Sequence, residues 1–429
     1  MVYMFIILHI INKVKYIIVT TFVLHIFSNT VKQLKTRIYK IMPFTFHNVL
    51  IIGLGLIGSS IAQALTKNNI ANVVSAFDLN GESLDDAIEI GIIDYGFSNL
   101  NDAVKNQDLI IICTPIGTYE AIIDNISPHL NKKTILSDVG SVKGSIIKII
   151  SKKISNIENF VPAHPIAGSE KSGLLAGNSD LFKNKDFIIT PIKENSTKSI
   201  QLVKELWERL GSNVIEMDYK EHDEIYAKSS HIPHLITFCY ASFLIKKYNK
   251  SLKQIADEEG NEFVSFIRLA FSNPKMWTDI FIHNKEPIIK NVEKYFTPPA
   301  LKTLDDDEDI SNLNDRIIDA KSFRKTIGIR HKFSSKMNHK DIYTGILPKV
   351  ICCLIIESVD RSPKVGGGFL GLTENIINLK SNFCKTLEKQ LPEYNEAISL
   401  FANEITHLTE LIRQSNGEEI YKYIDELNR

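Results

Sequence analysis

Residues 48–58 read NVLIIGLGLIG. The unbroken apolar run over 48–53 marks a strand buried on both faces of a parallel sheet. Gly53, Gly55 and Gly58 follow in GxGxxG spacing, and the helical pattern SSIAQALTKNN comes next. The glycine spacing is weak evidence by itself. Here a strand precedes it, a helix follows, and Asp78 stands 20 positions beyond Gly58 at the end of the next strand, 72–78. Gly53 permits the tight turn, Gly55 lets a pyrophosphate approach the backbone, and Gly58 lets the helix pack close to the strand. The first helical turn, with Leu56 and Ile57, then offers backbone N–H groups to a phosphate. Asp78 would accept hydrogen bonds from ribose hydroxyls, and its charge would repel a 2′-phosphate. These features predict a dinucleotide site for NAD rather than NADP; the competing reading is a glycine-rich turn that binds nothing.

Outward from this turn, apolar strands recur at DLIIICTP (108–115), TILSDVG (134–140), NFVPAHP (159–165), DFIITP (186–191) and SNVIEMD (212–218), mostly separated by helical stretches. Strands alternating with helices predict an α/β fold, a doubly wound Rossmann domain over 42–217. Thr114 and Pro115 end a strand and would line the nicotinamide side of the crevice, since ligands bind at the carboxyl ends of such strands. A plain strand terminator is the other reading. Cys113 reads as a small core residue. From 218 the pattern becomes helical, a substrate and dimerisation domain over 218–296.

The 429 residues suggest two or three domains. Lys plus Arg and Asp plus Glu are both 50, a net charge of zero that argues against nucleic acid bound through bulk positive charge. Five cysteines without CxxC spacing argue against a disulfide framework and a zinc site and suit a reducing, cytoplasmic setting. Residues 1–41 form an apolar extension split by Lys13 and Lys15, each run too short for a bilayer-spanning helix. They are set apart from the fold, and a membrane partner is not expected.

Two segments carry candidate chemistry. Ser137–Lys143 and His164–Gly173 each follow a strand and should reach the same carboxyl-end crevice. A histidine there can act as a general base near neutral pH, although a lone histidine is often a satisfied structural residue. The stretch 221–246 reads as one amphipathic helix bearing His222, His231 and His234. Pro233 lies inside the HxxH pair and no glutamate stands in zincin position, so no metal is expected. In 261–289, helical with a break near Pro274, Arg268 sits among apolar residues. A buried arginine needs an anion, either a substrate carboxylate or a structural acid.

The run GLGLIGSSIA, DVGSVK, HPIAGSEKSG, SHIPH and IRLAFSNPKMWTDIFIHNK resembles the prephenate and arogenate dehydrogenase family of tyrosine biosynthesis, over about residues 47–296. The resemblance implies NAD-dependent oxidative decarboxylation of a small-molecule substrate by a homodimer that exchanges apolar helices. It implies that His164 accepts the ring-hydroxyl proton and Ser141 helps orient that hydroxyl. Arg268 would bind a substrate carboxylate, His234 the substrate side chain, and Glu170 would join the polar network, with His231 and His222 nearby. Val264 stands where the family often has a cation, so the pocket that separates prephenate from arogenate is not readable.

Residues 297–345 read as a linker with an acidic run, Asp305–Asp309. Over 346–429, ILPKVICC and GGGFLGLT parallel parts of the helical domain like a degraded repeat. Ile346 and Lys349 stand in the histidine positions and Glu374 in that of the arginine. The segment would be structural or dimer-forming, or GGGFLGLT would complete the active site. Two other readings stay open: a non-catalytic NAD-binding scaffold, and a dehydrogenase of 3-hydroxyacid type.

Overall fold

The run at 48–53 forms the centre of a parallel sheet because both of its faces are covered. In the computed structural model, which describes residues 46–168, 172–259, 261–296, 347–359 and 390–427, strand β1 (Phe46–Ile52) pairs in parallel with β2 (Ala71–Phe77) and β4 (Leu109–Ile112). Along β1, Val49 and Ile51 point into one apolar cluster and Leu50 and Ile52 into another, the period-two alternation of a strand. The outer strands are β3 (Tyr95–Phe97) beyond β2, then β5 (Ile135–Asp138) and β6 (Phe160–Val161) beyond β4. The order is β3-β2-β1-β4-β5-β6, the doubly wound arrangement with its reversal between β1 and β4.

One face is covered by α1 (Leu56–Lys67) and α2 (Gly81–Glu89), with the small α3 (Leu100–Ala103) between β3 and β4. The other carries α4 (Tyr119–Ile126) and α5 (Gly144–Ser151), through Ile122, Ile123, Ile146 and Ile150. Helix α6 (Thr197–Arg209) closes the first face with Val203, Leu206 and Trp207.

The strand expected over 159–165 is broken at Pro162. Pro162 has no N–H for a ladder; the chain leaves β6 and enters β7 (Ala163–Pro165) in a second sheet with β8 (Asp186–Ile189) and β9 (Asn213–Glu216). There β7 runs antiparallel to β8, and β8 parallel to β9. The segments at 186–191 and 212–218 therefore do not extend the parallel sheet.

Next come α7 (Tyr219–Tyr226), one turn of wider π geometry at Ala227–His231, and α8 (Ile232–Tyr248). Pro233 in the first turn of α8 cannot donate to the ladder, and the π turn absorbs the interruption. The expectation of an amphipathic helix is corrected here. Every residue from Ile232 to Leu244 is buried, the pattern of a core helix covered on all sides. Helices α9 (Leu252–Glu259), α10 (Asn261–Ile267), α11 (Pro274–His283) and α12 (Lys285–Tyr295) follow. The break near Pro274 is a capped start, with Asn273 Oδ1 accepting from Met276 N at 3.0 Å.

Helices α13 (Leu347–Ser358), α14 (Leu391–Arg413) and α15 (Gly417–Glu426) join the same core through Ile351, Ile355, Phe401, Ile405, Ile420 and Ile424. Phe401 meets the Tyr240 ring of α8 edge-on at 5.6 Å. The 1–41 extension, the acidic run, Ile346, GGGFLGLT, Glu374 and Glu170 lie outside the described residues. No described helix is long and apolar enough to cross a membrane.

Buried Glu404 of α14 accepts from Ser242 Oγ at 2.8 Å and Tyr423 Oη at 2.9 Å, and Lys246 Nζ reaches it at 2.5 Å. Lys246 is 63% exposed, so solvent screens that ion pair. The hydroxyls of Ser242 and Tyr423 would lose their acceptor in Glu404→Ala. That change is expected to cost about 1–3 kcal/mol, read by urea unfolding; an unchanged midpoint would show that these contacts contribute no net stability.

Candidate active site

The glycine turn has the geometry its spacing implies. Gly53 has φ +100°, a region that side chains rarely adopt, and a Cβ there would lie 2.8 Å from Thr114 Cγ2. A Cβ on Gly58 would sit 1.9 Å from the Gly53 carbonyl oxygen, so the close helix–strand contact needs glycine. At Gly55 a Cβ would meet nothing within 4 Å, and the residue is exposed, with Leu56 and Ile57 half-buried behind it. Helices α2, α6, α7 and α11 are capped by Asn80, Ser196, Asp218 and Asn273. Helix α1 instead starts at Gly55 with no side-chain cap. Its first N–H groups are left for an anion. The turn fits a dinucleotide pyrophosphate.

Asp78 ends the link after β2 and is half-buried. Its Oδ2 accepts from Leu54 N at 2.7 Å and its Oδ1 from Asn80 N at 2.9 Å. A carboxylate has about four acceptor sites, so capacity remains for ribose hydroxyls. Thr114 accepts from Thr118 Oγ1 at 2.8 Å beside Gly53, and Pro115 is exposed at the same edge. Burial, then the charge of Asp138, push the Cys113 thiol well up, which keeps it protonated.

The second sheet positions His164. Its Nδ1 lies 2.9 Å from Nε2 of His222, whose Nδ1 lies 2.8 Å from Asp223 Oδ1. The ring also meets Tyr226 edge-on at 5.0 Å. Ser141 is half-buried in the loop between β5 and α5, and its hydroxyl has no partner among the described residues. That loop is tied to the His164 strand by Lys143, whose Nζ reaches the Ala163 carbonyl at 2.5 Å and Asp138 Oδ2 at 2.6 Å.

His231 and His234 come from the π turn and the first turn of α8. Asn284 Nδ2 bridges His231 Nδ1 and the Asp223 carbonyl, both at 2.9 Å. His234 Nδ1 donates to the Ser230 carbonyl at 2.9 Å, and its ring stacks on Trp277 at 3.6 Å. Arg268 acts electrostatically on His234. The expectation that Arg268 is buried is corrected: helix α10 ends at Ile267, a tight turn (Arg268–Phe271) follows, and Ile267 and Leu269 are buried while Arg268 is exposed. Arg268 makes no ion pair among the described residues.

Burial is the first cause that holds all four histidines down. His164 lies well below its ordinary value through burial, then through His222, Lys143 and His231. His222 is lowered well below its own by burial and then Lys143. Burial thus holds all four imidazoles neutral. Sequence reading passed over Asp223, Asn284 and Trp277. Asp223 had its adjacency to His222 as a signal, and Trp277 and Asn284 lie within the IRLAFSNPKMWTDIFIHNK motif, although no role was drawn for either from it. Among the described residues no group of three or more histidines, cysteines or acids is arranged to hold a metal.

Two family models match, described as prephenate dehydrogenase, nucleotide-binding domain, over 61–216, and prephenate dehydrogenase, dimerization domain, over 218–315. The chain is 33% identical to the cyclohexadienyl dehydrogenase of Zymomonas mobilis over 251 residues, 58% of this chain and 85% of that protein. It is 30% identical to the prephenate dehydrogenase of Bacillus subtilis over 325 residues, 72% and 85% of the two chains. The crystal structure of prephenate dehydrogenase from A. aeolicus with hydroxyphenyl propionate and NAD+ superposes with TM-score 0.54 at 30% identity, covering 64% of this chain and 92% of that one.

The buried histidines couple stability to pH. Burial pushes His231 and His234 down to about 3, from 6.5 in the unfolded chain. Between those values the unfolded chain binds protons that the folded chain does not, so stability falls as pH drops through that window. His234→Gln should flatten the dependence near pH ~5 by up to about 1.4 kcal/mol per pH unit. Denaturant titrations across the window check this, and a slope equal to that of the unaltered protein would count against it.

Proposed function

The chain belongs to the prephenate dehydrogenase family, and from that membership and the geometry above we infer an NAD-dependent enzyme of tyrosine biosynthesis. It oxidatively decarboxylates prephenate to 4-hydroxyphenylpyruvate, or arogenate to tyrosine, with release of carbon dioxide. The observation that carries the catalytic assignment is His164. Its Nδ1 is engaged by His222, and its Nε2 has no hydrogen bond among the described residues.

When bound at the glycine turn, the cofactor supplies the hydride acceptor. The chain's own residues handle the proton and the charges. His164 Nε2 takes the proton of the ring hydroxyl, and the neutral state imposed by burial keeps it available as a base. Ser141, with its unpartnered hydroxyl, orients the ring hydroxyl. Arg268, exposed and unpaired among the described residues, binds a substrate carboxylate. His234, held flat on Trp277, contacts the substrate side chain, and the family resemblance assigns His231 and Glu170 to the same substrate site. Proton removal drives hydride from the same carbon, and loss of the ring carboxylate makes the ring aromatic. Aromatisation renders the step effectively irreversible. Asp78 supports NAD over NADP, and Leu56, Ile57, Thr114 and Pro115 complete the cofactor contacts.

The match to a dimerization domain supports a homodimer. The cytoplasm is its location in this reading, and the domains divide as a nucleotide-binding unit over 42–217 and a helical unit from 218.

NADH formation with prephenate and with arogenate, in separate assays on the full chain, tests the activity and names the substrate. Turnover of neither, with NAD bound, would sink the assignment. His164→Ala should lower kcat by at least ~10²-fold; near-normal turnover would reject its role as base. Arg268→Ala should chiefly raise KM, and Asp78→Ala should weaken NAD relative to NADP, each read from steady-state kinetics.

A further inference from the structure

We propose that His222 and Asp223 are positioning residues that fix which nitrogen of His164 is free to take a proton. This deepens the preceding reading and rests on it, since it is the base assigned there that they would set. Asp223, His222 and His164 form a chain of side chains in which each donor dictates the next.

Asp223 comes from α7 but is held by the start of α5. Its Oδ1 accepts from Lys143 N and its Oδ2 from Gly144 N, both at 2.8 Å. Burial raises the Asp223 carboxyl, and these two backbone bonds oppose that rise by favouring the carboxylate. A carboxylate only accepts, so the facing His222 Nδ1, 2.8 Å away, carries the hydrogen. A neutral imidazole has one N–H, and burial keeps His222 neutral. Its Nε2 is therefore a lone pair, aimed at His164 Nδ1 at 2.9 Å. His164 then carries its hydrogen on Nδ1, and its lone pair sits on Nε2. The arrangement follows the logic by which a buried aspartate selects a histidine tautomer, extended by one imidazole.

The chain also answers the charge that forms during reaction. When Nε2 gains the substrate proton, His164 becomes a cation in a half-buried place. Lys143 and His231 already disfavour positive charge there, and Tyr226 offers only its ring. The Asp223 carboxylate is the compensating charge, transmitted through the hydrogen bond of His222. No proton needs to leave Nδ1 for this to operate.

Asp223→Asn removes the compensating charge. The amide oxygen can still accept from Lys143 N and His222 Nδ1, so the tautomers stay as they are, but the cation formed at His164 has no carboxylate behind it. Steady-state kinetics should then show kcat down by ~10²-fold or more with KM nearly unchanged. A kcat within about threefold of the parent, in a folded variant, would overturn that compensating role. His222→Gln can still donate to Asp223 and accept from His164, whereas His222→Leu can do neither. Gln should therefore retain most of kcat and Leu should lose it, a contrast that loosened packing would not give; equal losses would overturn the proposal even if Asp223→Asn fails to fold.

Long-range proton–nitrogen spectra of 15N-histidine-labelled protein read the tautomers without turnover, with the two rings assigned from His164→Gln and His222→Gln. Both rings should carry hydrogen on Nδ1, and hydrogen on Nε2 of His164 would refute the chain. A protein that turns over neither substrate would reject the assigned activity, while the spectra would still decide the hydrogen-bond pattern.

Discussion

A single buried ion pair holds the working parts together. Lys143 and Asp138 are wholly inaccessible to solvent, with their charged atoms 2.6 Å apart. Desolvating two charges costs several kcal/mol per ion and is offset only when the remaining hydrogen-bond capacity is also filled. Here Lys143 reaches the Ala163 carbonyl at 2.5 Å, and Asp138 accepts from Gly140 N at 2.8 Å, Ala163 N at 3.1 Å and Tyr119 Oη at 3.3 Å. The pair thus fastens β5, the Ser141 loop and the residue before His164 to one another. From the same loop, the N–H groups of Lys143 and Gly144 reach across to Asp223 of the helical region. Further links bind the two regions, Gly117 N to Asp279 Oδ2 at 3.0 Å and Ser145 Oγ to His283 Nδ1 at 2.8 Å.

The parts written in local chemistry were legible in the sequence. The glycine turn announces itself because a Cβ at Gly58 has nowhere to go, and β1 and β4 because apolar runs of that length must be buried on both faces. His164 was singled out by the HPIAGSEKSG resemblance, but its expected place after a strand of the parallel sheet is corrected: it lies within β7 of the second sheet, paired with Ile188. The parts that depend on where the chain turns were not. Pro162 redirects the chain into a second sheet, yet a proline near a strand end is common. The all-round burial of α8 depends on helices more than a hundred residues away, so its own pattern could not reveal it. Arg268 looked buried because its neighbours are apolar. A tight turn after Ile267 separates it from them. Asp223 read as one more acid in a charged stretch, since only the fold brings it under the N-terminus of α5.

The helical region is one core built from two widely separated stretches of sequence. Helices α14 and α15 lie against α8, α11 and α12, and Glu404 carries polar contacts from both Ser242 and Tyr423. Helices of the segment that resembled a degraded repeat supply inner surface to the unit that holds His231 and His234.

This has a consequence for how the protein is made. Ser242 and Glu404 are 162 residues apart in the chain. A ribosome adding about 5–20 residues per second takes roughly 8–30 s to span that gap. During that interval the sheet domain can form, because its strands pair with near neighbours in sequence, while α8 is synthesised with its apolar flank uncovered. Nascent chains of this protein should depend on chaperones at that stage, between emergence of α8 and arrival of α14.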